Sequence, residues 1–136
     1  MKEEIKKDIE RAESVIKSAE RNFKENDFFT AANRIFVACE NSIYVLLKLK
    51  YGSSSISRIK ILTKLGEIDK KAKKVYDKSY DLRVQSDYGR KASVIPLNKE
   101  NIRKILDEVR KILENAKGLF DNKYGKNGGP EIREGS

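Results

Sequence analysis

Histidine is absent from this 136-residue chain, tryptophan is absent too, and cysteine and methionine occur once each. Without histidine the commonest general base near neutral pH is missing. Any chemistry falls to arginine, carboxylate, tyrosine or Cys39. One cysteine excludes an internal disulfide, and no Cys/His zinc set can be assembled, so neither a metal nor a cofactor is expected. Cys39 lies in a helical apolar pattern, which favours a buried structural thiol over a nucleophile. No stretch approaches the ~20 apolar residues of a membrane span. Met1-Lys2-Glu3-Glu4 is too charged to open a signal peptide, so the expectation is a cytoplasmic protein without membrane association.

What is present is charge of both signs with an excess of one. Thirty Lys and Arg face twenty-one Asp and Glu, a net charge of +9. Such a balance favours anionic partners such as RNA, nucleotides or an acidic protein surface. A merely soluble Lys-rich surface carries the same number. Abundant Lys, Glu and Ile beside a single Gln is a composition found in thermophilic proteins. The length suits one domain with one core. Two prolines among long runs of Lys, Glu, Ile and Leu make that domain all-α.

Helical periodicity supports this. Ile5, Ile9, Ala12, Ile16, Ala19 and Phe23 alternate steps of four and three, drawing one apolar stripe. Asn26-Asp27 interrupts it, and Asp27 is an N-cap for a second helix. That helix carries Ala31, Ile35, Cys39, Ser42 and Leu46 on one line with Phe28, Ala32, Phe36, Ile43 and Leu47 beside it. So wide a stripe predicts a central helix, ended by Gly52 in the left-handed conformation. A short helix is expected over residues 56–65, facing inward through Ile56, Ile59 and Leu62 or Leu65 and closed by Gly66. Asp69 opens a third long helix to about Asp87, residues 89–96 form a loop, and Asn98 caps the last helix. Its stripe runs Ile102, Ile105, Leu106, Val109, Ile112, Leu113, Ala116, Leu119 and Phe120. Four long helices and one short one predict an antiparallel four-helix bundle with an additional short helix. The many apolar lines of the last helix favour a homodimer, unless that helix is simply well buried. Residues 1–122 form the domain, and 123–136 are expected to be a flexible tail, in part an expression remnant.

The segment Tyr80-Asp81-Leu82-Arg83-Val84-Gln85-Ser86-Asp87-Tyr88-Gly89 is the densest in potential chemistry. Helical steps place Arg83 on or beside the inward face. A permanently charged guanidinium there needs a carboxylate, carbonyls or a ligand phosphate. Asp87, four residues on, offers a purely structural bridge. Alternatively, Arg83 stands at a cleft with Tyr88 beside it to stack on a base or donate a hydrogen bond. Upstream, residues 57–91 hold eleven Lys/Arg and five Asp/Glu, a net of +6. Lys70, Lys71, Lys73, Lys74 and Lys78 form a stripe that could neutralise phosphates or simply be a solvated helix face.

The second helix contains Ala32-Asn33-Arg34-Ile35-Phe36, which resembles the Asn-Arg-x-aromatic signature of small stand-alone HEPN proteins. Arg83-Val84-Gln85-Ser86-Asp87-Tyr88 resembles the Arg-x-x-x-Asp-Tyr ending of their fourth helix, and Pro96-Leu97-Asn98 before the last helix matches the order of that fold. The resemblance spans residues 5–122. It implies an antiparallel bundle that dimerises and pairs with a minimal nucleotidyltransferase, often as toxin and antitoxin. Active members of the family are metal-independent ribonucleases with an Arg-x4-6-His motif, two copies facing each other across the dimer. Here Arg83 matches the arginine but Tyr88 stands where histidine would, and a phenol with an ordinary pKa of about 10 is a poor base at neutrality. The implied function is an RNA- or nucleotide-binding module lacking that ribonuclease activity. Its ligand residues would be Arg83, Asp87, Tyr88, Asn33, Arg34, Lys70 and Lys74. A weak ribonuclease using Arg83 with Tyr88 or Asp87 is the alternative, and a non-catalytic helical assembly protein the second alternative.

Overall fold

The computed structural model describes residues 1–52 and 57–125, and every regular element among them is helical. The helices are α1 (Lys2–Lys24), α2 (Phe28–Tyr51), α3 (Arg58–Ile68), α4 (Lys70–Tyr88) and α5 (Lys99–Tyr124). The predicted caps form. Asp27 Oδ1 accepts from the Thr30 N–H at 3.2 Å, Asp69 Oδ1 from Ala72 at 2.9 Å, and Asn98 Oδ1 from Asn101 at 2.9 Å. Each satisfies a donor that the first turn of a helix otherwise leaves free. Gly52, at φ 79°, ends α2 in the left-handed conformation and donates to Lys48 O at 2.9 Å.

The central position predicted for α2 follows from its composition. It packs against α1, α4 and α5, and Ile35, Ile43 and Leu47 in it are fully buried. Each such side chain contributes roughly 1.5–3 kcal/mol of transfer free energy. Small residues Ala31, Ala38, Cys39 and Ser42 let neighbouring helices approach closely. Lys48 is buried within this helix, where its ammonium meets Asp8 Oδ2 at 2.7 Å and Glu4 Oε2 at 3.2 Å from α1. Burial pushes that ammonium down, but the two carboxylates outweigh it and hold its pKa above the ordinary value.

Several boundaries differ from expectation. Gly66 lies inside α3 rather than closing it; the helix runs on to Ile68, and Asp69 is both its C-cap and the N-cap of α4. Ile59 is not inward: it is 74% exposed, while Ile61 and Leu65 face the core. Contact with α4 selects that face. Ile56 lies outside the described residues, as does the tail beyond 125. α5 continues to Tyr124, and Leu119 is 44% exposed while the rest of its stripe is buried within one chain. The apolar lines of α5 are therefore covered by its own neighbours, so the well-buried alternative accounts for them without a second copy.

The loop between α4 and α5 is held by two side chains of α4. Asp81 accepts from the backbone N–H groups of Ser93, Val94 and Ile95 at 3.0–3.2 Å. Gln85 donates to Ile95 O at 2.7 Å and to Asp81 Oδ2 at 3.0 Å, and accepts from Leu97 N–H at 2.9 Å. A carboxylate with several donors satisfies a loop backbone that has no ladder of its own.

Candidate functional site

One face of α4 carries Tyr76, Tyr80, Arg83 and Asp87 at steps of four, three and four, turned toward α2 and α3. Arg83 and Asp87 form the expected bridge, Nε to Oδ2 at 3.1 Å. It is not sealed: the two side chains are 35% and 28% exposed. The same Oδ2 accepts from Asn33 Nδ2 at 3.3 Å, and Asn33 Oδ1 accepts from Arg34 Nη1 at 2.9 Å. Four of the expected residues, from two helices fifty residues apart in sequence, thus form one chain of hydrogen bonds. Ser86 adds a bond from its Oγ to Phe29 O at 2.7 Å, fastening the end of α4 to the start of α2.

Beneath this chain is a ladder of cations and rings. The Arg83 guanidinium sits 5.1 Å from the Phe36 ring centroid. Phe36 meets Tyr76 at 5.5 Å and Tyr80 at 5.6 Å, the latter edge to face. Arg58 of α3 lies 3.8 Å over Tyr80 and pairs with Asp77 at 2.7 Å, its buried Nε without a hydrogen-bond partner. Arginine over an aromatic face gains ~0.5–2 kcal/mol, more as water is removed. Arg58 escaped the sequence reading, as did the stacking role of Tyr80, although Tyr76, Tyr80 and Arg83 share a helical line. Glu40, one turn beyond Phe36 on α2, also escaped it. Burial pushes its carboxyl above the ordinary value, while a hydrogen bond from Tyr44 and the charge of Arg83 pull it partly back.

Other expected residues stand apart. Tyr88 is 66% exposed and five positions from Arg83, about 140° around the helix. Its nearest stacked cation is Arg90, 5.7 Å from the ring. No hydrogen bond joins Tyr88 to Arg83 or Asp87 among the described residues. Lys70 and Lys74 are exposed in the first turns of α4, on its outward side. They are ~13–20 Å along the axis from Arg83 and do not join its cluster. Cys39 is fully buried, its thiol pushed up to about 12 by burial, so it is no nucleophile.

A groove of about 570 Å³ occupies the opposite end of the bundle, lined by Leu46, Leu49, Ile68 and Leu119 with Lys50 and Lys123 at its rim. It shares no residue with the arginine cluster. Among the described residues no three His, Cys, Asp or Glu side chains gather closely enough to hold a metal ion, and no helix is long and apolar enough to cross a membrane.

The HEPN domain family model matches residues 5–119. The chain belongs to the HEPN domain family. No curated protein matches the sequence. Among solved structures, a crystal structure of a protein from Sulfolobus solfataricus superposes with a TM-score of 0.65 at 18% identity, covering 81% of this chain and 96% of that one. At that identity the likeness speaks for the fold alone, and it agrees with the helical HEPN bundle described above.

Proposed function

We propose that this HEPN domain is an RNA- or nucleotide-binding module, the partner of a minimal nucleotidyltransferase in a toxin–antitoxin-type pair, without the histidine-dependent ribonuclease activity of its relatives. The observation that carries this reading is the cluster of Arg83, Asp87, Asn33 and Arg34 over the Phe36–Tyr80–Arg58 ladder. Phosphate prefers a planar two-pronged donor, and Arg83 is partly exposed with neither Nη in a hydrogen bond among the described residues. Arg34 is exposed and bound only to a neutral amide. Arg83 and Arg34 are linked through Asp87 and Asn33, which gathers two guanidiniums in one patch suited to a phosphate. The separation of Tyr88 from Arg83 supports binding over cleavage, since proton transfer needs both groups within hydrogen-bond reach of one substrate.

The module is proposed to act as a homodimer, with the open side of α2, carrying Phe29, Asn33, Val37 and Tyr44, as the shared surface. Light scattering at micromolar concentration tests this: a species of 15.6 kDa would refute it. Arg83→Lys tests the site. It keeps the charge, loses the fork, and should lower affinity for a labelled single-stranded RNA about tenfold while the fold is retained. Unchanged affinity with reduced thermal stability would make Arg83 a brace between helices, as in an assembly protein. Cleavage of the RNA in the presence of chelator would favour the weak ribonuclease instead. A parallel replacement of Lys70, Lys71, Lys73 and Lys74 by Glu measures what the lysine stripe adds, through the slope of log affinity against log salt.

A further inference from the structure

The groove of about 570 Å³ at the end of the bundle does not stand alone. It shares Asp69 and Asn115 with a cavity of about 220 Å³, which shares Glu108 and Lys111 with a third of about 460 Å³. The three follow one another along the furrow between α4 and α5, both of which pack on α2. On α5 the furrow runs from Lys104 to Lys123, ~28 Å of helix. Leu49, Ile68 and Leu119 form its floor at one end, and Val75 and Ile112 continue it. Leu119 is the one member of the α5 stripe that its own chain leaves exposed. Lys50, Lys71, Lys78, Lys111 and Lys123 line the sides, and none makes an ion pair within 4.0 Å among the described residues. Most of the carboxylates along the furrow are engaged: Glu67 accepts from the Tyr51 phenol at 3.2 Å, Asp69 caps α4 and Asp107 pairs with Arg110. Only Glu108 is left over. The furrow therefore offers an apolar floor between rows of uncommitted positive charge.

We propose that this furrow docks an amphipathic helix of an acidic protein partner. The apolar stripe of that helix lies on Leu49, Ile68 and Leu119, and its flanking carboxylates meet the lysines. A trough between two helices, ~28 Å long, holds about 18 residues of a third helix. Charge complementarity selects the sign, and the lysine stems add apolar cover at the edges. Glu108, midway along, calls for one basic residue in the otherwise acidic helix and so sets its register. RNA fits this surface less well: no arginine lines it, the floor is apolar and Glu108 repels phosphate. A second copy packed through the same furrow would set lysine against lysine across a two-fold axis. Residues 126–136 of the chain itself carry one large apolar side chain, Ile132, and as many basic as acidic side chains, two of each, too little to cover the floor. The furrow shares no residue with the arginine cluster or with the proposed dimer surface, so this inference does not rest on the nucleotide-binding reading.

The test uses the full chain and a labelled peptide of about 18 residues built from leucine and glutamate, with leucine at helical spacing on one face. Binding is read by fluorescence anisotropy at fixed salt. The comparisons are the same peptide with lysine for glutamate, polyglutamate of equal length, and a uridine oligomer. The leucine–glutamate peptide should bind about tenfold tighter than the lysine peptide or polyglutamate. Leu119→Asp places a carboxylate on the floor, and Lys111→Glu reverses the charge at an exposed side. Each should weaken that peptide about tenfold while leaving uridine-oligomer affinity within about twofold. Thermal melting confirms that both variants are folded, and the exposed Lys111 keeps the test open should Leu119→Asp unfold. Equal binding of the leucine–glutamate peptide and either peptide control, or unchanged affinity in Lys111→Glu, overturns the inference. A matching loss of uridine-oligomer affinity in Lys111→Glu assigns the furrow to nucleic acid and overturns it as well. Conversion of a dimer to a monomer by Leu119→Asp assigns the furrow to a second copy, with the same result. None of these outcomes touches the Arg83 test of the nucleotide-binding reading.

Discussion

Asp81 and Asp87 lie six residues apart near the end of the same helix and do opposite things. Asp81 is 6% exposed, and its acceptors are filled by three backbone N–H groups and an amide that cannot leave without unmaking the α4–α5 loop. Asp87 is partly exposed, and its partners Arg83 and Asn33 are side chains free to rotate toward something else. A fully satisfied buried carboxylate is architecture. In the function proposed above, a partly satisfied exposed one, shared between an arginine and an amide, holds a binding group in readiness. The contrast suggests that the reach and freedom of a carboxylate's partners, more than its charge, separate scaffold from site.

The largest effect should come from Asp81→Ala, which removes the acceptor of three loop donors. We expect a loss of about 2 kcal/mol. The melting temperature should fall by on the order of 5 °C, measured by circular dichroism. An unchanged melting temperature would break the contrast. Lys48→Ala asks whether burial of a charged group suffices for a large effect. It strands Asp8, whose side chain is 17% exposed, and should cost about 1.5 kcal/mol by urea titration.

Acid provides a sharper cut. Burial pushes the Asp81 carboxyl up, but the N–H groups of Val94, Ile95 and Ser93 and the Gln85 amide outweigh it and hold its pKa below the ordinary value. The unfolded chain therefore binds this proton more readily. The stabilisation is complete above the ordinary carboxylate value of about 3.9 and is lost as pH falls through the lowered folded value. Urea midpoints from pH 7 down to 2 should decline more steeply below about pH 4 in the wild type than in Asp81→Asn.

Asp87→Asn is expected to change stability by less than about 0.5 kcal/mol, since its pair is partly exposed. Yet it should raise affinity for labelled RNA several-fold, because Arg83 loses its competing carboxylate. A stability loss as large as that of Asp81→Ala would put both aspartates in the scaffold. A further small effect serves as a reference away from both. Gly66 lies within α3, and an added Cβ would meet only the flexible Lys73 side chain, 3.3 Å away at its Cδ. Gly66→Ala should stabilise by about 0.5 kcal/mol in the same melts.

Much of the bundle was legible because caps and apolar stripes are local. Asp27, Asp69 and Asn98 act within three residues of themselves, and the lines of α1 and α2 depend only on the helical period. The Arg83–Asp87 bridge is local in the same way, being one turn of one helix. Gly66 misled because glycine so often ends helices, whereas here the stop is supplied by Asp69 three residues later. Ile59 misled because Ile59, Ile61, Leu62 and Leu65 allow two inward faces, and only packing against α4 chooses between them. The Asp81 latch depends on the path of an irregular loop, which no periodicity encodes. Glu40 and Arg58 were illegible for a related reason: a charged residue beside an apolar line looks solvated until a neighbouring helix covers it.

Cys39 carries a consequence in time rather than in energy. It is the sole thiol of the chain, is fully buried on the helix that α1, α4 and α5 all pack against, and has its pKa pushed up to about 12 by burial. A disulfide reagent needs an exposed thiolate, so it can react only after α2 is uncovered. The chain therefore contains its own stopwatch. With reagent in excess, the labelling half-life counts how often the whole bundle comes apart, with no dye or engineered residue required.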